Sequence, residues 1–552
     1  MQRSRREFLS LAAKAAALAL APQPLLALLP SPAAGQHSAG HEAPLPLPGR
    51  DGLYGLLLPK DEPLTLSATA APGLLPATGA SMLAYETTQD GRLYRNPVLV
   101  LQKGQRFRAR LVNHLAEPTI IHWHGVDGHW RQAGHPSYAV GPGQAYDYDF
   151  PVTNRAGTYW YHPHPHGLTA KQSYLGLASF FIVRDAEEQA LARELDLTLG
   201  VTDIPVVLSD KRFGPGGELL YAPTADDLLM GHMGTEVLAN GQRKPVLAAA
   251  TRIYRLRLLN GSTARVMNLR LLKGGVPAPF LLIGNDGGLL DVPRELDAVF
   301  LAPGERVELL IDLRGFKPGQ ALTLANAPFA PMHNEGGHGA HGAQPAPQAQ
   351  NAHAGHGGPA PAAPAAMPAA MPLDEGAAYD IMSFRVEREV PYARKVPARL
   401  SSLSTAAPAW PQSPPRRLEL ALDRGRKLWT IAGLTFDMGA TPIVVERRAQ
   451  EAWEFVGAHD GMPHPMHLHG YFFRVAARRG SPQQVAQRAV DASGRLATDL
   501  GLKDTVLVWP GESVTVVTDF ASPSYAGEQI FLLHCHNLEH EDQGMMLNVR
   551  VK

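Results

Sequence analysis

Trp509-Pro510-Gly511-Glu512-Ser513-Val514-Thr515-Val516-Val517-Thr518 reads as a Pro-Gly turn that feeds an alternating strand. Two other passages share the pattern: Gly141-Pro142-Gly143-Gln144-Ala145-Tyr146-Asp147-Tyr148-Asp149-Phe150 and Ala302-Pro303-Gly304-Glu305-Arg306-Val307-Glu308-Leu309-Leu310-Ile311. A strand-like run precedes each of the three, at 106–112, 253–259 and 452–456. Another follows, at 157–161, 321–326 and 529–533. One unit occurring three times is the mark of an internal repeat of all-β domains.

A chain of 552 residues is also too long for one core. The interval from Pro303 to Pro510 exceeds that from Pro142 to Pro303 by about the length of a low-complexity stretch, 328–372. Rich in Ala, Pro, Gly and His, that stretch cannot bury a core. The expected division is a first domain at 50–186, a second at 195–327, an insertion or linker at 328–376, and a third at 377–552. The best helix candidate, 185–194, marks the join between the first two domains.

Lys and Arg number 51, as do Asp and Glu, so charge offers no case for a nucleic-acid partner. The single cysteine makes no internal disulfide and reads as a ligand or nucleophile. At the N-terminus, Ser4-Arg5-Arg6-Glu7-Phe8-Leu9 is a twin-arginine pattern followed by an apolar run broken by Lys14, Pro22 and Pro24. Residues 1–40 are therefore set aside as an export signal. The mature chain is expected to be periplasmic or secreted, monomeric and without a stable membrane anchor.

The lone cysteine lies in Phe531-Leu532-Leu533-His534-Cys535-His536-Asn537-Leu538-Glu539-His540-Glu541-Asp542-Gln543-Gly544-Met545. At the end of a strand Cys535 points to one face, and His534 and His536 to the other. Cys535, His540 and Met545 make three ligands of a blue-copper set, which needs a thiolate, two imidazoles and a weak thioether. Three further clusters hold same-face pairs: His122 and His124, His162 and His164, His467 and His469. Together with His534 and His536 these make eight imidazoles on four strand ends, suited to a cluster of several metals. His464, three residues before His467, falls on the Cys535 side and completes the blue set. Imidazole-rich sites containing a thiolate fit copper better than zinc, which favours closed tetrahedral sets.

These four clusters resemble the copper-binding motifs of multicopper oxidases, the group that includes laccases, bacterial cuprous oxidases and ascorbate oxidase. The resemblance spans the mature chain and implies three cupredoxin-like Greek-key domains and four copper ions. It implies that Cys535, His464 and His540 bind type 1 copper with Met545 axial, and that His122 and His467 bind type 2. The type 3 pair would fall to His124, His162, His164, His469, His534 and His536. Strand parity alone separates the mononuclear ligands from the cluster and leaves type 2 and type 3 unresolved.

The activity implied is one-electron oxidation of a donor at type 1 copper, with electrons passing through Cys535 to His534 and His536. Four such transfers reduce O2 to water. Glu541 stands where the cuprous-oxidase motif places a proton-relay glutamate, and Asp127 is a second candidate near type 2 copper. Asp127 lies in a segment, 126–142, whose spacing departs from the family pattern. The donors implied are phenols, aromatic amines or Cu(I). The low-complexity stretch carries Met332, His333, His338, His341, His353, His356, Met367 and Met371, soft and borderline ligands for copper. An alternative reading is a periplasmic copper-sequestering or copper-resistance protein with incidental oxidase activity. The intact ligand set argues against the cell-division relatives that have lost copper. Four paired clusters in one chain argue against copper nitrite reductase.

Overall fold

Gly143, Gly304 and Gly511 take φ of +74°, +82° and +73°, the left-handed region that glycine enters without steric cost. Each turns the chain into a strand, respectively Ala145–Pro151, Arg306–Asp312 and Ser513–Asp519. These strands pair antiparallel with Arg106–Asn113, Ile253–Asn260 and Gln450–Gly457. The registers Phe107↔Phe150, Leu256↔Leu309 and Phe455↔Val514 set apolar side chains opposite one another.

The computed structural model describes residues 43–49, 52–334, 373–447, 449–521, 525 and 527–552. The export signal expected at 1–40 lies outside the described residues, as do His338, His341, His353, His356, Met367 and Met371. Among the described residues the architecture is all-β, as the sequence predicts. Six sheets fall into three pairs along the chain, spanning 52–184, 203–388 and 416–551. Each pair closes on its own core, around Leu66, Phe107 and Trp123 in the first, Leu256, Leu269 and Leu309 in the second, and Phe455, Met466 and Leu533 in the third. The helices are short. Ala186–Glu194 is the expected one, capped by Asp185, whose carboxylate accepts from Glu188 N at 3.0 Å. No helix among the described residues is long and apolar enough to cross a membrane.

One boundary differs from the sequence reading. Tyr379–Arg388, assigned there to the third domain, is a strand of the second sheet pair. It runs antiparallel to Ala321–Asn326 and parallel to Val246–Ala250, and buries Ile381, Met382, Phe384 and Val386 in the second core. The low-complexity stretch is therefore an excursion between two neighbouring strands of one sheet, not a connection between domains. Its ends meet: Phe329 N donates to Gly376 O at 3.1 Å, and His333 Nε2 lies 2.8 Å from Glu375 Oε2.

Buried ions join the first and second sheet pairs. Arg255 and Arg257 meet Glu188, Asp203 and Glu308, and Glu308 also accepts from Thr158 Oγ1 at 2.6 Å. Removing one member of such a network leaves an uncompensated charge, at a cost of about 3–5 kcal/mol.

Candidate metal centre

The strand Gln529–Cys535 pairs with His464–Leu468, and Met466↔Cys535 and His467↔His534 are direct partners. Directly opposed residues share a face. Met466, Cys535 and His464 therefore face one way, and His467 and His534 the other.

On the first face, His464 Nδ1 lies 3.5 Å from Cys535 Sγ and His540 Nδ1 lies 3.8 Å from it. His540 is brought there by the one-turn helix Leu538–Asp542, whose cap Asn537 accepts from His540 N at 3.4 Å. Asn537 also donates its main-chain N–H to Sγ at 3.4 Å. Met545 is fully buried in the core that holds Cys535, and its carbonyl accepts from Cys535 N at 3.0 Å. Trp429 packs edge-on against His464 with ring centroids 4.6 Å apart. Burial pushes the Cys535 thiol well up and both imidazoles down, His540 to about 3. A thiol that resists ionisation and two neutral imidazoles aimed at its sulfur suit a metal cation, whose charge makes the thiolate stable.

The second face holds all eight remaining histidines, each at most 1% exposed. His122 and His162 are direct ladder partners, as are His467 and His534. Four rings have Nδ1 fixed on a main-chain carbonyl: His122 on Ala133, His162 on Pro163 at 2.9 Å, His467 on Asp504 at 2.8 Å, and His534 on Cys535 at 3.0 Å. A carbonyl accepts only from N–H, so each of these rings donates from Nδ1 and turns its Nε2 inward. Facing Nε2 atoms then lie close: His122 to His467 at 3.3 Å, His469 to His534 at 3.0 Å, and His164 to His534 at 3.4 Å. His162 Nε2, His124 Nδ1, His164 Nδ1 and both nitrogens of His536 are buried without a hydrogen-bond partner. Burial holds His122, His124, His467, His469 and His536 well below the usual histidine range, which keeps them neutral. Opposed lone pairs and orphaned nitrogens fit several bound metal ions. The triads His122/His124/His162, His122/His467/His469 and His164/His469/His534 have donor atoms within 4.8 Å of one another, as does His464/Cys535/His540.

Two acids reach the histidine cluster. Glu541, 1% exposed, lies 3.1 Å from His534 Nδ1 and 3.5 Å from His164 Nε2. Burial raises its pKa, but His164 and His534 outweigh that and hold it below the usual carboxylate range. The second acid is Asp504, which the sequence reading missed. Its Oδ1 lies 3.1 Å from His124 Nε2 and 3.8 Å from His467 Nδ1. The only local signal is an acid opening the apolar strand Thr505–Val508, which is too weak to single it out.

Asp127 is placed elsewhere. Its carboxylate accepts from Thr153 Oγ1 at 3.1 Å and its carbonyl from Tyr525 at 3.2 Å, neither of them a cluster residue. The segment it lies in does serve the cluster in another way. Two short 3-10 turns, Trp130–Gln132 and Pro136–Tyr138, carry Ala133 onto His122 and His135 onto Asn548 of the third sheet pair, at 2.9 Å. Asn326, the second repeat's counterpart to His162 and His164, only bridges main-chain groups, accepting from Asn268 N at 2.6 Å.

The segment Met230-Gly231-His232-Met233 belongs to a cap over the sulfur-containing site, a role its sequence did not suggest. Leu229 O accepts from His540 Nε2 at 2.9 Å and from Trp429 Nε1 at 2.8 Å. Met230 O accepts from Asn537 Nδ2 at 3.3 Å.

Comparison with known proteins agrees with this geometry. Residues 87–188 and 409–552 match family models described as Multicopper oxidase. The multicopper oxidase McoA of Aquifex aeolicus shares the fold at TM-score 0.77 and 35% identity, over 93% of this chain and 100% of that one. The multicopper oxidase mco of Staphylococcus haemolyticus is 28% identical over 458 residues, 82% of this chain and 81% of the relative. A laccase of Bacillus subtilis is 27% identical over 431 residues, 72% of this chain and 71% of its own. The three sheet pairs are thus of the cupredoxin-like kind, the family implies copper at the histidine sites, and the chain belongs to the multicopper oxidases, which are oxidoreductases.

Proposed function

We propose that this oxidoreductase couples one-electron oxidation of phenols, aromatic amines or Cu(I) to four-electron reduction of O2 to water. The observation that carries the reading is a covalent one. Cys535 faces the mononuclear site while its neighbours His534 and His536 face the cluster, so two peptide bonds join the two centres. Copper, when bound, supplies one-electron redox chemistry at the first centre and oxygen chemistry at the second. In this assignment Cys535, His464, His540 and Met545 hold type 1 copper, and His122 and His467 hold type 2. His124, His162, His164, His469, His534 and His536 hold the type 3 pair.

The protein's own groups divide the remaining work. Glu541, in reach of His534 and His164, is the carboxylate placed to pass on the protons that oxygen reduction consumes. Leu229, Met230 and Trp429 exclude water from the sulfur site and strengthen its electrostatics. Because Leu229 closes the outer edge of His540, small donors have the advantage over bulky ones. Cu(I) gains further support from Met332, His333 and Glu375, which stand where the low-complexity stretch leaves and re-enters the fold. The twin-arginine pattern supports export to the periplasm or beyond.

Oxygen uptake by the copper-loaded protein tests the reading, with a phenol and with Cu(I), before and after deletion of 335–371. Uptake with either donor is expected. Loss of the Cu(I) rate alone on deletion identifies a metallo-oxidase. Copper loading without uptake on either donor identifies a sequestering protein and overturns the proposal.

A further inference from the structure

Among the described residues the second sheet pair contributes no histidine to either site, yet its Pro-Gly turn reaches into the cluster. A Cβ on Gly304 would lie 2.8–3.0 Å from the ring of His536, so only glycine lets the turn approach so closely. Two residues on is Arg306, fully buried, with all five of its N–H donors engaged. Nε donates to Thr158 O at 3.0 Å, in the first sheet pair. Nη1 and Nη2 donate to Gly304 O at 2.9 Å and Asp286 O at 3.1 Å, in the second. The other two form a fork on Asp504, in the third, at 2.7 and 2.5 Å.

Asp504 in turn faces two metal-site rings. Its Oδ1 lies 3.1 Å from His124 Nε2 and its carbonyl accepts from His467 Nδ1 at 2.8 Å. The contact to His124 fixes the tautomer. A proton on Nε2, donated to the carboxylate, leaves Nδ1 bare, and Nδ1 is the nitrogen buried without a partner. The glycine after His124 belongs to the same device: a Cβ on Gly125 would lie 2.5 Å from Asp504 Oδ2 and 2.9 Å from Arg306 Nη2.

We propose that Arg306 is a positioning residue for the histidine cluster, acting through Asp504 to set which nitrogen of His124 meets the metal. This rests on the copper-cluster reading above. The role needs the planar fork: lysine keeps the charge but not the paired geometry. It also gives the ligand-free second sheet pair a part in the chemistry, since the turn 303–306 is where all three sheet pairs meet the metal site.

The test compares Arg306→Lys, Arg306→Met, Asp504→Asn and the Arg306→Met/Asp504→Asn double variant after copper loading. Blue absorbance from the Cys535 site, in the third sheet pair, reports folding within each sample. Copper per chain after dialysis against a chelator, and the type 2 electron-paramagnetic signal, report the cluster. Full blue absorbance is expected throughout. Cluster copper should be held about 10-fold less tightly in Arg306→Lys and nearer 100-fold less in Arg306→Met, the range for partners of metal ligands. The double variant should lose no more than Asp504→Asn alone, because Arg306 acts only through Asp504. Unchanged cluster copper, additive losses, or blue absorbance falling in parallel with cluster copper would each overturn the proposal. A wild-type protein that loads no type 2 copper would overturn the cluster reading itself, a distinct result.

Discussion

His122 Nε2 and His467 Nε2 face each other at 3.3 Å across the junction of the first and third sheet pairs, 345 residues apart in sequence. Each ring has its Nδ1 tied to the main chain, one on Ala133 and one on Asp504, so neither can turn away. Two bare lone pairs held together repel unless a cation lies between them. Copper removal should therefore destabilise the whole protein. A site filled at 100 times its Kd contributes about 2.7 kcal/mol to folding. The melting temperature should fall on stripping with a chelator and return on adding copper. A melting curve indifferent to copper would contradict the site.

Cys535→Ser should abolish the blue absorbance and donor oxidation while leaving the fold intact, since serine is close in size at this fully buried position. Absorption and circular dichroism spectra check both halves. A colourless variant oxidising a phenol at the normal rate would remove Cys535 from the electron path.

Met545→Leu should raise the potential of the blue site. The Met545 thioether, buried in the core that holds Cys535, would favour the oxidised metal by donating electron density, and leucine fills the space without donating. Redox titration of the blue band reads the shift. An unchanged or lower potential would remove Met545 from the ligand set.

Glu541→Gln keeps the size of the side chain beside His534 and His164 but cannot carry a proton. Oxygen turnover should fall on the order of 100-fold, within the range for acid–base groups, while anaerobic bleaching of the blue band by donor stays near its wild-type rate. Slowing of both steps together would assign Glu541 to electron transfer or folding instead.

Asp127→Asn separates the misplaced candidate from the cluster. Burial raises the Asp127 carboxyl from 3.8 to about 6, and the Thr153 hydroxyl offsets only part of this. The folded state therefore holds the proton more tightly than the unfolded one. The stability this gives below pH 4 is lost as pH rises through 6. The variant should match wild type below about pH 4 and exceed it above pH 6, by at most about 3 kcal/mol. Oxygen turnover should be unchanged. Denaturant titrations at both pH values and a turnover assay check these outcomes, and a large drop in turnover would return Asp127 to the relay.

The sequence alone determined what local covalent geometry controls. A strand's two-residue period sorted Cys535 and His464 from His534, His536 and the other six imidazoles. The Pro-Gly turns located Ala145–Pro151, Arg306–Asp312 and Ser513–Asp519, because their glycines need a backbone that other residues avoid. Only the tertiary structure decided the rest. It moved Tyr379–Arg388 into the second sheet pair, since a strand's alternation does not say which core it fills. It replaced Asp127 with Asp504 beside His124, and brought Leu229 onto His540 and Arg306 onto Asp504. Those contacts join residues far apart in the chain. They depend on how three separately closed cores pack against one another, and no periodicity within a strand records that packing.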